Sequence, residues 1–130
     1  MRGIDVEWAW DAETGRFLRS QEGSAHVDAR HGRIGAHNVV VAGVEYRPST
    51  IDARSPEAQT IGYGPLWVFS DGEVITGTWI REGADQPWQF LDEAGATVGL
   101  RPGNTWVELA ERKPTGDPTN PGIELEIALA

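Results

Sequence analysis

The sequence predicts an all-β domain: an antiparallel β-sandwich, or a partly open β-barrel, built from hairpins with little helix. Three observations support this. No segment longer than about ten residues keeps a 3.6-residue apolar period, while period-two and continuous apolar runs recur along the chain. Sixteen glycines and eight prolines in 130 residues supply the punctuation that many short strands require. Asp71-Gly72, flanked by apolar runs, is the dipeptide of a two-residue hairpin turn.

The elements follow in chain order. Asp5 to Trp10 (DVEWAW) reads as a strand, DAETG as a turn, and Arg16 to Ser20 (RFLRS) as the hairpin return. QEGSAHVDARHGRIGAH reads as turns around one short strand near His26 to Asp28. Asn38 to Tyr46 (NVVVAGVEY) places apolar residues on both parities, so both of its faces should be buried in the centre of a sheet. RPSTIDARSPEAQ reads as a long polar loop with room for one helical turn at most.

GYGPLWVFSDGEVITGTWI, Gly62 to Ile80, forms the central hairpin. With Asp71-Gly72 as its turn, Trp67 pairs with Thr76, Phe69 with Val74, Val68 with Ile75, and Trp79 with Gly64. An indole across from glycine lies over the bare backbone and covers the gap. Pro65 points its missing N–H away from Thr78, so on that outer side the ladder must end, bulge or lie at an edge. WQFL, DEAG and ATVGL read as a further hairpin. RPGN then leads into TWVELA, which with Pro102-Gly103 as the turn sets Trp106 across from Gly99. Residues 1–111 thus form a single domain, 112–122 a Pro/Gly-rich linker, and 123–130 (IELEIALA) an extra edge strand or a tail. Docking on this domain is the favoured reading, because an exposed alternating strand invites aggregation.

The net charge of −9 argues against nucleic acid and anionic membranes as partners. Cysteine is absent, and no apolar run approaches the ~20 residues needed to cross a bilayer, so this chain is not expected to insert directly. Nucleophilic catalysis has no signature: there is no cysteine and no Gly-x-Ser-x-Gly. His26, Asp28 and His31 are the candidate metal ligands, since a short strand would set His26 and Asp28 on one face. Six tryptophans are a rich supply for a small β domain, and each buries ~200 Å² when used as core. Most are assigned to the core. Trp8 and Trp10, on one parity, and Trp88, at a strand start and the most exposed in prospect, remain as ligand platforms.

RSQEGSAHVDA, HNVVV, GYG, DGEVITGTW and DEAGATVGLRPGNTWVEL, in this order, resemble the C-terminal domain of the YerB-like bacterial lipoprotein family over about Trp8 to Leu109. The resemblance implies an extracytoplasmic cell-envelope protein, held to the membrane through a lipid and carrying a larger N-terminal domain as neighbour. It implies no established activity, no catalytic residues and no cofactor. The chain holds neither a lipid-attachment cysteine nor such an N-terminal domain, as an excised fragment would. The resulting expectation is a non-catalytic structural or ligand-binding module of an envelope lipoprotein. The alternatives are a cell-wall glycan-binding module using exposed aromatics and a metal-assisted hydrolase centred on His26 and Asp28.

Overall fold

The computed structural model describes residues 6–51, 54–112 and 127. Among these, twelve strands and no helix occur: β1 Val6–Asp11, β2 Arg16–Gln21, β3 Ser24–Ala25, β4 Val27–Asp28, β5 Gly32–Arg33, β6 Gly35–Ala36, β7 Asn38–Pro48, β8 Pro56–Gln59, β9 Gly62–Ser70, β10 Glu73–Arg81, β11 Gln89–Asp92 and β12 Thr105–Glu111. The expected all-β sandwich is present. One layer is the sheet β11-β10-β9-β7-β12, with β8 continuing from β7; the other is β1-β2-β3, with β6 on β2; β4 and β5 form a separate ribbon.

β7 is central and buried on both faces, as its double-parity pattern requires. Val40, Ala42 and Val44 join Leu66, Val68, Trp79 and Val98 in one core. Val39 and Val41 join Phe17 and Ala36 in the other, which Trp8, Trp10, Trp67, Phe69 and Trp106 border. The β1-β2 layer covers this second core.

The β9–β10 register is the expected one, from Glu73↔Ser70 through Trp79↔Gly64. Its turn holds Asp71 at φ 54° and Gly72 at φ 76°, the backbone of a type I′ turn. The outer ladder of β9, to β7, stops at Ala42↔Leu66, one step before Pro65 would have to donate. The carbonyl of Gly43 therefore lacks its ladder donor. Trp79, only 2% exposed, supplies one: its Nε1–H donates to Gly43 O at 2.8 Å. The indole reaches that oxygen by crossing Gly64. A Cβ there would stand 2.6 Å from Trp79 Nε1 and closer still to Gly43 O.

Two sequence expectations are corrected. The segment after Tyr46 is not all loop: β7 runs on to Pro48 and pairs with β8, from Glu45↔Gln59 to Pro48↔Pro56. Moreover, Trp106 does not face Gly99. β12 pairs in parallel with β7, placing Trp106 beside Val39. The chain leaves β11 at one edge of the sheet and crosses to the other edge before starting β12, burying Val98 on the way. Asn38, fully buried, fixes the landing point. Its Nδ2 donates to Arg101 O (2.9 Å) and Thr105 Oγ1 (3.2 Å), and its Oδ1 accepts from Arg101 N (3.0 Å) and Ser70 Oγ (2.8 Å). A side-chain amide has four such capacities, and all four are used. A chain held at the first residue of β7 can only run alongside it, so the pairing is parallel. Of the linker and the 123–130 segment, only Arg112, whose N–H donates to Val44 O at 2.8 Å, and exposed Ile127 are among the described residues; the rest lie outside them.

Candidate functional site

The densest cluster of chemistry-bearing side chains lies where the β1-β2 layer meets β12. In the β1–β2 hairpin Trp8 pairs with Arg19 and Trp10 with Phe17, so all four share the inward face. Arg19 is thereby carried inside, at 7% exposure. A buried guanidinium is costly unless it is paired and fully bonded. Here Nε donates to Glu108 Oε1 at 3.0 Å, and Nη1 donates to Gln21 Oε1 at 2.8 Å and to His26 Nδ1 at 2.7 Å. His26 must therefore be unprotonated at Nδ1, with its ring proton on Nε2. The guanidinium carbon lies 5.1 Å from the Trp106 ring centroid and 5.9 Å from that of Trp8, within cation–π range. Trp8 Nε1 also donates to Glu108 Oε1, at 3.2 Å, and the edge of His26 meets Trp106.

Sequence reasoning named Trp8 and His26 here but missed Arg19, Glu108 and Trp106 as their partners. One signal was available. Arg19 shares the parity of buried Phe17 and faces Trp8, an arginine on an inward register. Glu108 needed the parallel β7–β12 pairing, which no local pattern announces.

The other predicted residues are scattered. Trp10 packs at 4.9 Å on Phe17 and lies over Gly72 of the β9–β10 turn. Trp88 is not the exposed ring expected of a strand start. It is half-buried, 4.9 Å from Trp79 and 6.3 Å from Phe90, with Arg81 over its ring. Trp8 and Trp106 are 5.5 Å apart but tilted by 60°, so the pair does not form one flat stacking surface.

Asp28 and His31 meet on the β4–β5 ribbon. Asp28 Oδ1 accepts from Arg30 N at 2.7 Å and His31 N at 3.1 Å, and lies 3.2 Å from His31 Nδ1. The backbone N–H groups of Arg30 and then His31 hold its carboxyl below the usual value. This is a turn cap. His26 Nδ1 instead accepts from Arg19 Nη1. Among the described residues no group of three or more His, Asp or Glu is placed to hold a metal ion. Tyr46 bridges from β7, its hydroxyl donating to Leu109 O at 3.2 Å. Burial, and then the charge of Glu111, raise its pKa.

Comparison with known proteins places this geometry. The crystal structure of YerB protein from Bacillus subtilis superposes with a TM-score of 0.69 at 18% identity, over 82% of this chain and 36% of that one. At that identity the likeness establishes the fold, and the chain spans about a third of YerB's length. No curated protein matches. The family described as "Protein of unknown function (DUF3048) C-terminal domain" matches residues 1–107, so the chain belongs to the family of DUF3048 C-terminal domains.

Proposed function

We propose that this domain is a non-catalytic module of a cell-envelope lipoprotein, outside the cytoplasmic membrane and beside a larger N-terminal domain of the same polypeptide. The observation that carries the reading is the closed Arg19 cluster. Of the residues best suited to chemistry, His26 and Glu108 are each bonded to Arg19, and the Arg19–Glu108 bond pins the β1-β2 layer to β12. A catalytic group must instead present its reactive atom to a substrate. The solved YerB chain, about a third of which this fold accounts for, supports the neighbour-domain part of the reading.

The test is expression of the complete reading frame in a bacterial host with metabolic labelling by a radiolabelled fatty acid, followed by fractionation. Incorporation of label and recovery with membranes, lost on removal of the upstream segment, is the expected result. A cytosolic, unlabelled full-length protein overturns the envelope assignment. For the structural role, the upstream domain is added in trans to isotope-labelled domain. Shifts confined to one face are expected, and an unchanged spectrum refutes the neighbour-domain role.

A further inference from the structure

At one end of the sandwich four loops converge on a cavity of about 240 Å³, lined by Gly15, His37, Asp71, Arg101 and Pro102. Gly15 comes from the β1–β2 turn, Asp71 from the β9–β10 turn, and Arg101-Pro102 from the crossing that leads into β12. Loops held on a rigid sheet are where binding residues concentrate.

The three polar liners are all tied to the Asn38 hub. His37 is the residue before Asn38. Asp71 follows Ser70, whose hydroxyl donates to Asn38 Oδ1 at 2.8 Å. Arg101 is bonded to the Asn38 side chain through both its N and its O. One fully buried amide thus sets the relative positions of all three, and such support is what keeps a site in a single geometry.

The ring of His37 is held separately. Asn104 Nδ2 donates to Gly35 O at 2.8 Å, which identifies Asn104 Oδ1 as the acceptor end of that amide. His37 Nδ1 lies 2.8 Å from Oδ1 and 3.3 Å from Asn104 N; the shorter contact, to an oxygen that can only accept, makes Nδ1 the protonated donor. Gly103, at φ +124°, lies against the ring so closely that any Cβ would collide with it. His37 Nε2 is left as an acceptor with no hydrogen-bond partner among the described residues. Arg101 Nη1 donates to Asp71 Oδ2 at 3.1 Å, with both side chains more than half exposed. Arg101 Nε and Nη2 and Asp71 Oδ1 remain open among the described residues. An exposed ion pair of this kind is weak and yields readily to a ligand.

We propose that this cavity binds a small zwitterion of the α-amino-acid type. The free donors of Arg101 take its carboxylate, and Asp71 Oδ1 with His37 Nε2 takes its ammonium group. The match is one of charge and capacity: one cationic fork beside two acceptors, in a space equal to about eight waters at ~30 Å³ each. The site is independent of the compartment proposed above and is testable on the purified domain.

The experiment is a titration of isotope-labelled domain with glycine to about 50 mM, read at the His37 ring C–H and Arg101 Nε–H resonances. Saturable shifts at both are expected, and the absence of saturable shifts at His37 overturns the proposal. Acetate and methylammonium, tested singly, are expected to bind at least about tenfold more weakly. Acetate binding as well as glycine would make this a plain anion site and equally overturn it. Arg101→Gln and Asp71→Asn alter exposed side chains and are expected to abolish binding with the remaining resonances unmoved. Full glycine binding by either variant refutes the assigned contacts.

Discussion

Gly64→Ala tests the packing argument at its tightest point. The new methyl would sit 2.6 Å from Trp79 Nε1 and 3.0 Å from Cε2, and would press on the carbonyl oxygen of Gly43. Neither neighbour is the free end of a flexible side chain. One is backbone in the central strand and the other is an indole exposed by only 2%. Relief requires the ring to retreat, which breaks the 2.8 Å bond to Gly43 O. Overpacking costs about 1–3 kcal/mol, and leaving a buried carbonyl unpaired costs about 1–3 kcal/mol. Together these predict a loss of roughly 2–6 kcal/mol. Trp79→Ala alone should lose about 3–5 kcal/mol. In the double variant the clash with the ring disappears, so the two losses should fall short of additivity by at least ~1 kcal/mol. Urea unfolding followed by circular dichroism, with the slope checked for constancy, measures all three. A Gly64→Ala variant within about 0.5 kcal/mol of wild type would refute the account.

Three other predictions follow from the same geometry. Asn38→Ala should lose about 2–3 kcal/mol in urea unfolding, since it removes a fully buried amide and all four of its bonds to β9, the crossing segment and the start of β12; hydrogen exchange should rise first along β12. Arg19→Gln should cost about 3 kcal/mol, at the low end for a broken buried pair because Glu108 keeps 26% side-chain exposure, and should shift the fluorescence of Trp8 and Trp106. The pH dependence has two arms. The pKa of Tyr46 is raised in the fold, so its contribution is fully present below pH 10.0 and is lost as pH rises from there through the folded value, an alkaline slope that Tyr46→Phe should reduce. The pKa of Asp28 is lowered, so its contribution is present above pH 3.8 and lost as pH falls through the folded value, a slope that Asp28→Asn should flatten.

The central hairpin was readable because its code is local. Asp71-Gly72 admits the left-handed backbone of a type I′ turn, and a two-residue turn leaves a single register. That register then places Trp79 over Gly64 and aims Pro65 away from β10. The double-parity run at β7 likewise announced burial on both faces, since a strand exposed on one side would alternate. The metal and platform candidates were less legible. A histidine or tryptophan on a strand has a parity, but its partners come from other strands.

The amino-acid sequence by itself therefore determined the strand class, the register set by the Asp71-Gly72 turn and the central place of Asn38–Tyr46, each a property of neighbours along the chain. Only the tertiary structure decided that Thr105–Glu111 runs parallel to β7, that Arg19 lies between Trp8 and Trp106, and that His37, Asp71 and Arg101 surround one cavity. The reason is physical. Those relations depend on where a crossing segment lands, and a buried amide at position 38, bonded to residues 32 to 67 positions away, sets the landing point.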